Sequence, residues 1–577
     1  MMISHECFKK GYLTCGIFIF MLCSGSCATA KPVDKQTIDE GQHTVILQKN
    51  KPFAAQVVAS NTTYEIQSSF DLAQNQVAIP EGCVLKFNGG SVKNGTLKGN
   101  NTEIISAPIK IFGPNLSLDG EWNVSSAYAE WFGAKGNGKN DDTKSIQQAI
   151  DVFSRVDLLN STYRISSITL TSGKKIKGVG PYQSKLIAVD NKKDGIVVAS
   201  PKRTKYVEIE GVQISGFKNG LHFSRSERCK LTDVISNNCA ECACLFDDGC
   251  WIMVLRNCKF HNSKTGFSCG LDGVITSTFD LHSCCFYENK CYGFDGVCNN
   301  INFFGGYSEL NGISGMRFNI KKPSLNVLFL GFDMESNKRY GIDFSTDDKP
   351  AENTAYVVNF HYIGGQIETQ TDGTNDNASI YFGGPKLSSN YWLNVNFNTR
   401  VTGSSAYVIK SMGNIAIEGS MQLTTSGKKW TTSHSVAVDP VTIGSSRSYM
   451  VNLSDCDGTV SNKKLIIEPG QQVMVPMGSL CSLDKIKIEG TQNATLSIFG
   501  VGLSNNELRS RASSKVVLNT STGKKGGYCV DTDGFRGVRG IRFFYIKNEG
   551  TDRVAISSIT LTGQETTYQT ISELLSE

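Results

Sequence analysis

The sequence predicts an all-β chain built around a parallel β-helix, and three observations carry that expectation. Glutamates Glu288, Glu309, Glu335 and Glu368 each follow a similar pair four and three residues upstream: Cys284-Cys285, Gly305-Gly306, Gly331-Phe332 and Gly364-Gly365. Their intervals are 21, 26 and 33 residues. A second marker, Gly220-Leu221, Ala243-Cys244, Gly266-Phe267, Gly293-Phe294, Gly315-Met316 and Gly341-Ile342, recurs every 22 to 27 residues. The composition agrees, with 57 Gly against 13 Pro and few helix-forming runs. A unit of this length, holding two or three short strands separated by turns, is what one coil of a parallel β-helix requires. Leucine-rich and tetratricopeptide repeats need leucine or helical patterns that this chain lacks.

The 577 residues are enough for two or three domains. A net charge of +5 and the lack of a basic tract interleaved with aromatics argue against a nucleic-acid partner. Lys9 and Lys10 precede a short apolar stretch over residues 12–23, which reads as an export signal within residues 1–30. Two cleavage readings stand. Ala28-Thr29-Ala30 fits an ordinary site, and Ser24-Gly25-Ser26-Cys27 fits a lipoprotein box with Cys27 lipidated, so any membrane association is expected only through that lipid. Eleven of the 19 cysteines lie between Cys229 and Cys298, inside the repeat. Residues such as Cys258 and Cys284 are expected to stack as small buried hydrophobes, with one or two disulfides at most. Cys239-x-x-Cys242-x-Cys244 has metal-ligand spacing but no second pair at zinc-finger distance, so no metal site is assigned.

Residues 31–124 read as a short β-rich region, with runs such as Cys83-Val84-Leu85-Lys86-Phe87-Asn88-Gly89-Gly90. One helix follows. Asp141-Asp142-Thr143 supply its cap, and Ile146, Ala149, Ile150 and Phe153 fall on one face. The β-helix is expected over residues 125–435, although its periodicity fades after about Ser388. Residues 436–577 read as strands without a repeat, as in Lys464-Leu465-Ile466-Ile467-Glu468, and a β-sandwich is expected there.

The segment Trp131-Phe132-Gly133-Ala134-Lys135-Gly136-Asn137-Gly138-Lys139-Asn140-Asp141-Asp142-Thr143, running into Ile146-Gln147-Gln148-Ala149-Ile150, resembles the opening of the pectate lyase superfamily domain. Tyr163-Arg164-Ile165 and Ile176-Lys177-Gly178-Val179-Gly180 fit its first coils. The likeness covers about residues 125 to 380. It implies a right-handed, single-stranded parallel β-helix whose N-terminal end is plugged by the helix from Thr143. It also implies that the chain acts on, or binds, acidic or complex polysaccharides along one elongated face. Fold alone does not give activity, since this family includes hydrolases, lyases, epimerases and non-catalytic binders. Asp247-Asp248 weakly resembles the Asp-Asp step of polygalacturonase-type members. The companion steps are missing, because His261 follows by half a coil and precedes Asn.

Two acidic columns follow from the repeat. Carboxylates aligned on neighbouring coils would stand roughly 5 Å apart and those two coils apart roughly 10 Å, which brackets retaining and inverting glycosidase geometries. Glu288, Glu309 and Glu335 are therefore candidate catalytic acids, with Glu368 completing the column as a substrate contact. The plain alternative is a solvated turn residue on each coil, neutralised by Lys290, Lys338 or Arg339; a Ca²⁺ ion held between two such acids is a third reading, and no other cofactor is expected. The second column is Asp247, Asp248, Asp272, Asp295, Asp347 and Asp348, where turn-stabilising aspartates are the plain alternative. Trp251, Tyr307 and Tyr340 are candidate sugar platforms, and Arg317 and Arg339 candidate clamps for acidic sugars.

The expected function is an exported polysaccharide-active enzyme that cleaves glycosidic bonds with paired carboxylates, hydrolysis being favoured over β-elimination. The alternative is a non-catalytic glycan-binding adhesin or tailspike-like protein, for which a homotrimer is one expectation. An export signal weighs against a virion component.

Overall fold

The computed structural model describes residues 43–319, 324–345, 357–369, 377–383, 390–403, 405, 407–411, 415–425, 436–438, 443–476, 485–490, 494–504, 507–518, 527–531 and 543–566. Cys27, the export segment, Lys321, Lys322, Asp347 and Asp348 lie outside them. The central part is a right-handed parallel β-helix with a ten-stranded sheet on one side and a continuous 22-stranded sheet wrapping the rest. The larger sheet holds two alternating strand series. A first face passes through Glu208–Glu210, Lys230–Thr232 and Trp251–Arg256, and a second through Gln213–Ser215, Ile235–Asn237 and Lys259–His261. Longer strands such as Ser277–Tyr287 and Ile301–Glu309 run across both faces.

Two turns shape each coil. The corner between the first and second faces is a stack of left-handed residues, Gly211, Asp233, Asn257, Ser283, Gly305 and Gly331, with φ between 50° and 65°. The turn from the second face into the ten-stranded sheet places another left-handed residue at Asn238, Asn262, Glu288, Leu310 and Ser336. Directly after each comes an inward side chain: Cys239, Ser263, Asn289, Asn311 and Asn337. These form a ladder. Asn289 Oδ1 accepts from the Ser263 amide at 3.1 Å, Asn311 Oδ1 from the Asn289 amide at 3.1 Å, and Asn337 Oδ1 from the Asn311 amide at 3.1 Å. Asn311 Nδ2 also donates to the Phe286 carbonyl and to Asn337 Oδ1 at 3.0 and 2.9 Å. A buried turn would otherwise leave these backbone groups unpaired, at about 1–3 kcal/mol each.

The ladder explains the glycine marker. Leu221, Cys244, Phe267, Phe294, Met316 and Ile342 stand in one register column of the ten-stranded sheet, pointing inward. The small residue before each lies against the ladder: a Cβ on Gly293 would sit 2.5 Å from Ser308 Oγ and 2.8 Å from Asn311 Nδ2.

The neighbouring inward column carries Phe223, Phe246, Cys269, Gly296, Phe318 and Phe344. Its two small members fall beside Phe267 and Phe294, and a Cβ on Gly296 would reach within 2.9 Å of the Phe294 ring. The rings stack, Phe223 on Phe246 at 4.8 Å and Phe267 on Phe294 at 5.5 Å. Each such fully buried ring contributes about 1.5–3 kcal/mol. Among the described residues thirteen cysteines are free thiols, all buried except Cys291, and Cys258 stacks on Cys284 as expected. Among the described residues, no group of three or more His, Cys, Asp or Glu is arranged to hold a metal ion.

The helix Thr143–Val152 buries Ile146, Ala149 and Ile150 on the solenoid core, while Phe153 and Val152 pack on a second core with Trp131. It is an internal partition as well as a plug. Asp142 occupies the cap position, but its carboxylate accepts from the Lys135 and Gly136 amides at 2.6 and 3.1 Å; Asp141 Oδ1 accepts from the Thr143 amide at 2.9 Å instead.

The N-terminal β-rich region is itself parallel: Thr44, Thr63, Val84 and Glu103 pair in succession, so it forms coils of its own on the far side of the helix. The ladder also continues where the sequence period fades. Val357–Thr369, Asn390–Gly403 and Ile415–Thr425 pair in parallel, with Val436–Val438 after them. Beyond, two antiparallel sheets enclose a core of Leu465, Ile486, Ile488, Val473, Leu496 and Phe544, a sandwich as expected.

Replacing Asn311 with Ala removes the acceptor of the Asn289 amide and the Nδ2 donor to the Phe286 carbonyl, while Asn337 Oδ1 keeps only the Asn311 backbone amide. The expected cost is about 3–5 kcal/mol, read as a lowered urea midpoint relative to the unsubstituted chain.

Candidate functional site

Side chains two apart on a strand share a face, so each coil of the second face presents two outward columns. Register puts Tyr287, not Glu288, opposite Glu309, and Glu309 opposite Glu335. The apparent column of four glutamates is thus two acids in register with two displaced. Glu288 lies one residue on, exposed, in the left-handed turn position with φ 55°. Glu368 faces a bulge, because one residue separates Ile367 from Thr369 where two separate Met334 from Asn337. The upstream pairs slip likewise: Cys284 aligns with Gly306, and the left-handed corner equivalent to Gly305 is Ser283.

Glu309 and Glu335, on adjacent coils, have backbones about 4.8 Å apart. Their surroundings differ. Burial and then the charges of Glu335 and Glu288 raise the Glu309 pKa above the ordinary carboxylate range. Glu335 Oε1 accepts a 2.6 Å hydrogen bond from Gln366 Nε2, which fixes its rotamer. Two carboxyls with unequal surroundings at single-coil spacing are the arrangement used for acid-assisted displacement at an acetal carbon.

Aromatic rings flank the pair. His261 stacks on Tyr287 with centroids 4.4 Å apart and planes 7° off parallel, and Tyr287 lies 5.9 Å from Tyr307. Tyr307 is two residues before Glu309 on the same outward side, and burial, first among its causes, raises its phenol well above the ordinary range. Lys259, Cys285 and Tyr307 form the parallel column, and Lys259 Nζ donates to the Tyr182 hydroxyl at 3.2 Å. Sequence reasoning selected Tyr307 for the site. It missed His261 and Gln366, whose only signal is register.

The aspartate group lies at the other end of the coil. Asp247 Oδ2 is 2.8 Å from His222 Nε2, and Asp194 Oδ2 is 2.7 Å from His222 Nδ1. Asp248 pairs with Arg225 at 2.7 Å, while Asp272 accepts from the Asp248 and Val274 amides at 2.5 and 3.1 Å. Trp251 donates to the Ile275 carbonyl and has the Arg203 guanidinium 3.7 Å from its ring centroid. Asp247, Asp248 and Asp272 thus each have a partner here, a histidine, an arginine and turn amides respectively, while Asp247 Oδ1 is buried without one. Trp251 likewise has one partner at its ring face and another at its indole nitrogen.

The remaining candidates belong to the ten-stranded sheet, whose outward column is His222, Leu245, Ser268, Asp295, Arg317, Asp343, Tyr381 and Lys410. Arg317 grips Asp295 through Nε and Nη2 at 2.9 and 2.7 Å, with both side chains 7% exposed, and lies over the Tyr292 ring at 4.1 Å. Tyr340 is 4% exposed and stacks on Tyr381 at 4.1 Å, with the Arg339 guanidinium 5.2 Å from its ring. Arg317 is therefore an internal clamp rather than one for an acidic sugar, and Tyr340 is covered rather than a platform. Asp343, absent from the sequence-derived columns, is buried beside them; Ser314 Oγ donates to its Oδ2 at 2.7 Å, and burial pushes its pKa to about 6. The signal for this column was present, since each of its members from His222 to Asp343 is the second residue after the glycine marker.

Burial opposes charge on His222, but hydrogen bonds and charge from Asp194 and Asp247 outweigh it and raise the pKa to about 9. Because the folded value lies above the unfolded one, the stabilisation is complete below about pH 6.5 and is lost as pH rises through about 9. The gap in melting temperature between the unsubstituted chain and His222→Gln should accordingly be widest near pH 6 and close by about pH 10.

No protein-family model matches the chain, and no curated protein matches its sequence. Among solved structures it is similar to the enzymatically active domain of tailspike protein 2 of bacteriophage CBA120, at 13% identity and a TM-score of 0.41, over 78% of this chain and 81% of that one. It is similar to the A-module of the Azotobacter vinelandii mannuronan C-5 epimerase AlgE6, at 18% identity and a TM-score of 0.36, over 55% and 100%. A third likeness is to PfbA, a surface adhesin of Streptococcus pneumoniae, at 12% identity and a TM-score of 0.37, over 55% and 91%.

Proposed function

We propose that the chain is an exported polysaccharide-active protein that hydrolyses glycosidic bonds on the second face, with Glu309 as general acid and Glu335 as the charged partner. The observation that carries this reading is the in-register pair with unequal surroundings, one carboxyl raised in pKa and the other held by Gln366. Single-coil spacing favours retention, in which Glu335 attacks the anomeric carbon while Glu309 protonates the leaving oxygen. Tyr307, beside the acids, supplies a ring for the apolar side of a sugar, while His261 already covers one face of Tyr287. A second reading, glycan binding without cleavage, is supported by the row of rings running two coils past the acid pair, through Tyr287 to His261.

With a glycan panel assayed for reducing ends, Glu309→Gln and Glu335→Gln should each lower turnover at least about 100-fold without moving the melting temperature. In Glu335→Gln the Glu309 pKa should fall toward its ordinary value, since one of the charges that raises it is gone. Ultraviolet-absorbing unsaturated products would assign elimination instead. Binding without any new chain ends would assign the second reading.

A further inference from the structure

A pocket of about 560 Å³ opens where the first face turns into the second, beneath the segment that carries Val179 and Pro181. Its wall is a register column: Asp157, Lys177 and Glu210 stand opposite one another on successive coils, alternating in charge at about 4.8 Å. The charges are already matched. Lys177 Nζ lies 2.9 Å from Glu210 Oε1, Lys175 Nζ lies 3.0 Å from Glu210 Oε2, and Arg155 Nε donates to Asp157 Oδ1 at 2.7 Å. Beside them Gly178 and Gly211 bring two backbones into contact: a Cβ on Gly178 would fall 2.2 Å from the Gly211 carbonyl oxygen. Tyr128 lines the pocket, its ring fixed edge-on against Trp131 at 5.6 Å, and Asp233 closes the far side.

We propose that this pocket is a remote subsite for one uncharged sugar unit of the polysaccharide. Alternating carboxylate and ammonium groups offer acceptors and donors side by side, which suits adjacent hydroxyls, while the Tyr128 ring and Pro181 meet the C–H face of a pyranose. Three carboxylates against one ammonium in the lining disfavour a uronate, because its charge would find no unmatched cation.

The pocket also connects to the acid pair. Tyr182, next after Pro181 and 66% exposed, is held by Lys259 on the second face, and the Lys259 column runs on through Cys285 to Tyr307. From Glu210 the register passes through Thr232, Arg256, His282 and Phe304, so the pocket stands four coils, about 19 Å, from the coil of Glu309. A glycan running obliquely across the second face would span both.

The subsite rests on the glycan reading above, and its test is kept independent of cleavage. Binding of D-glucose, D-galactose, N-acetylglucosamine and D-galacturonate to the full chain is measured by saturation-transfer NMR and titration up to about 100 mM. Val179→Trp fills the pocket from its exposed rim, Tyr128→Ala removes its ring, and Glu309→Gln leaves it intact. At least one neutral sugar should bind, at least about tenfold more tightly than galacturonate. That binding should weaken about tenfold or more in both pocket variants and stay unchanged in Glu309→Gln. The proposal is overturned if no neutral sugar binds, if galacturonate is preferred, or if Val179→Trp leaves binding unaltered. Full cleavage by Glu309→Gln would instead sink the catalytic reading, whatever the sugars do.

Discussion

Everything in the solenoid depends on the buried turn that leads into the ten-stranded sheet. Each coil must reverse inside the protein, where an unpaired amide is expensive, and the solution is one inward side chain per coil that bonds to the backbone of its neighbour. Asn289, Asn311 and Asn337 bond across coils through both their carbonyl oxygens and their amide nitrogens. Ser263 takes the preceding place, accepting from the Cys239 amide. Because each ladder residue bonds to the next coil, register cannot slip by one without stranding several buried groups together. The glycine marker is a consequence of the same crowding.

Fixing register in this way turns sequence neighbours into surface columns, and the columns differ in fate. On the ten-stranded sheet the outward column is sealed: Asp295 and Arg317 satisfy each other, Asp343 is buried, and Tyr340 and Tyr381 cover one another. Matched, desolvated charges of this kind stabilise through geometry, and removing one partner is more damaging than the pair is helpful. The second face stays open. There the acids remain half-exposed beside tyrosines, and the raised pKa of Glu309 reflects burial first and then the neighbouring Glu335 and Glu288. That contrast, more than the count of acids, separates a surface able to do chemistry from one that holds the coil together.

The ends of the stack are closed by different means. At the start, the helix Thr143–Val152 presents Ile146, Ala149 and Ile150 to the solenoid and leaves Val152 and Phe153 to the N-terminal coils, so one amphipathic segment serves two cores. An uncovered end would expose unpaired strand edges and aromatic rings alike. Trp131 reinforces the partition by packing on Phe112 and Phe153 and donating to the Ala107 carbonyl.

Much of this was legible in the chain. Glycine and glutamate periods near 25 residues announced coils, the apolar spacing near Thr143 announced a helix, and the clustered cysteines read correctly as core-filling thiols, because burial and repeat length are local properties that leave a periodic trace. The site was only partly legible. Glu309 and Glu335 align, yet Glu288 does not, since a 21-residue interval and a 22-residue coil differ by one and the side-chain period of a strand is two. The parallel coils of the N-terminal region escaped notice, and the period fades beyond Ser388, for a related reason: irregular coil lengths hide strand pairing that hydrogen bonding still completes. The sequence by itself determined that coils form and which residues lie inside them. Only the tertiary structure decided which outward side chains meet, because that depends on register between segments more than twenty residues apart, and one residue of slip exchanges an acid for a tyrosine.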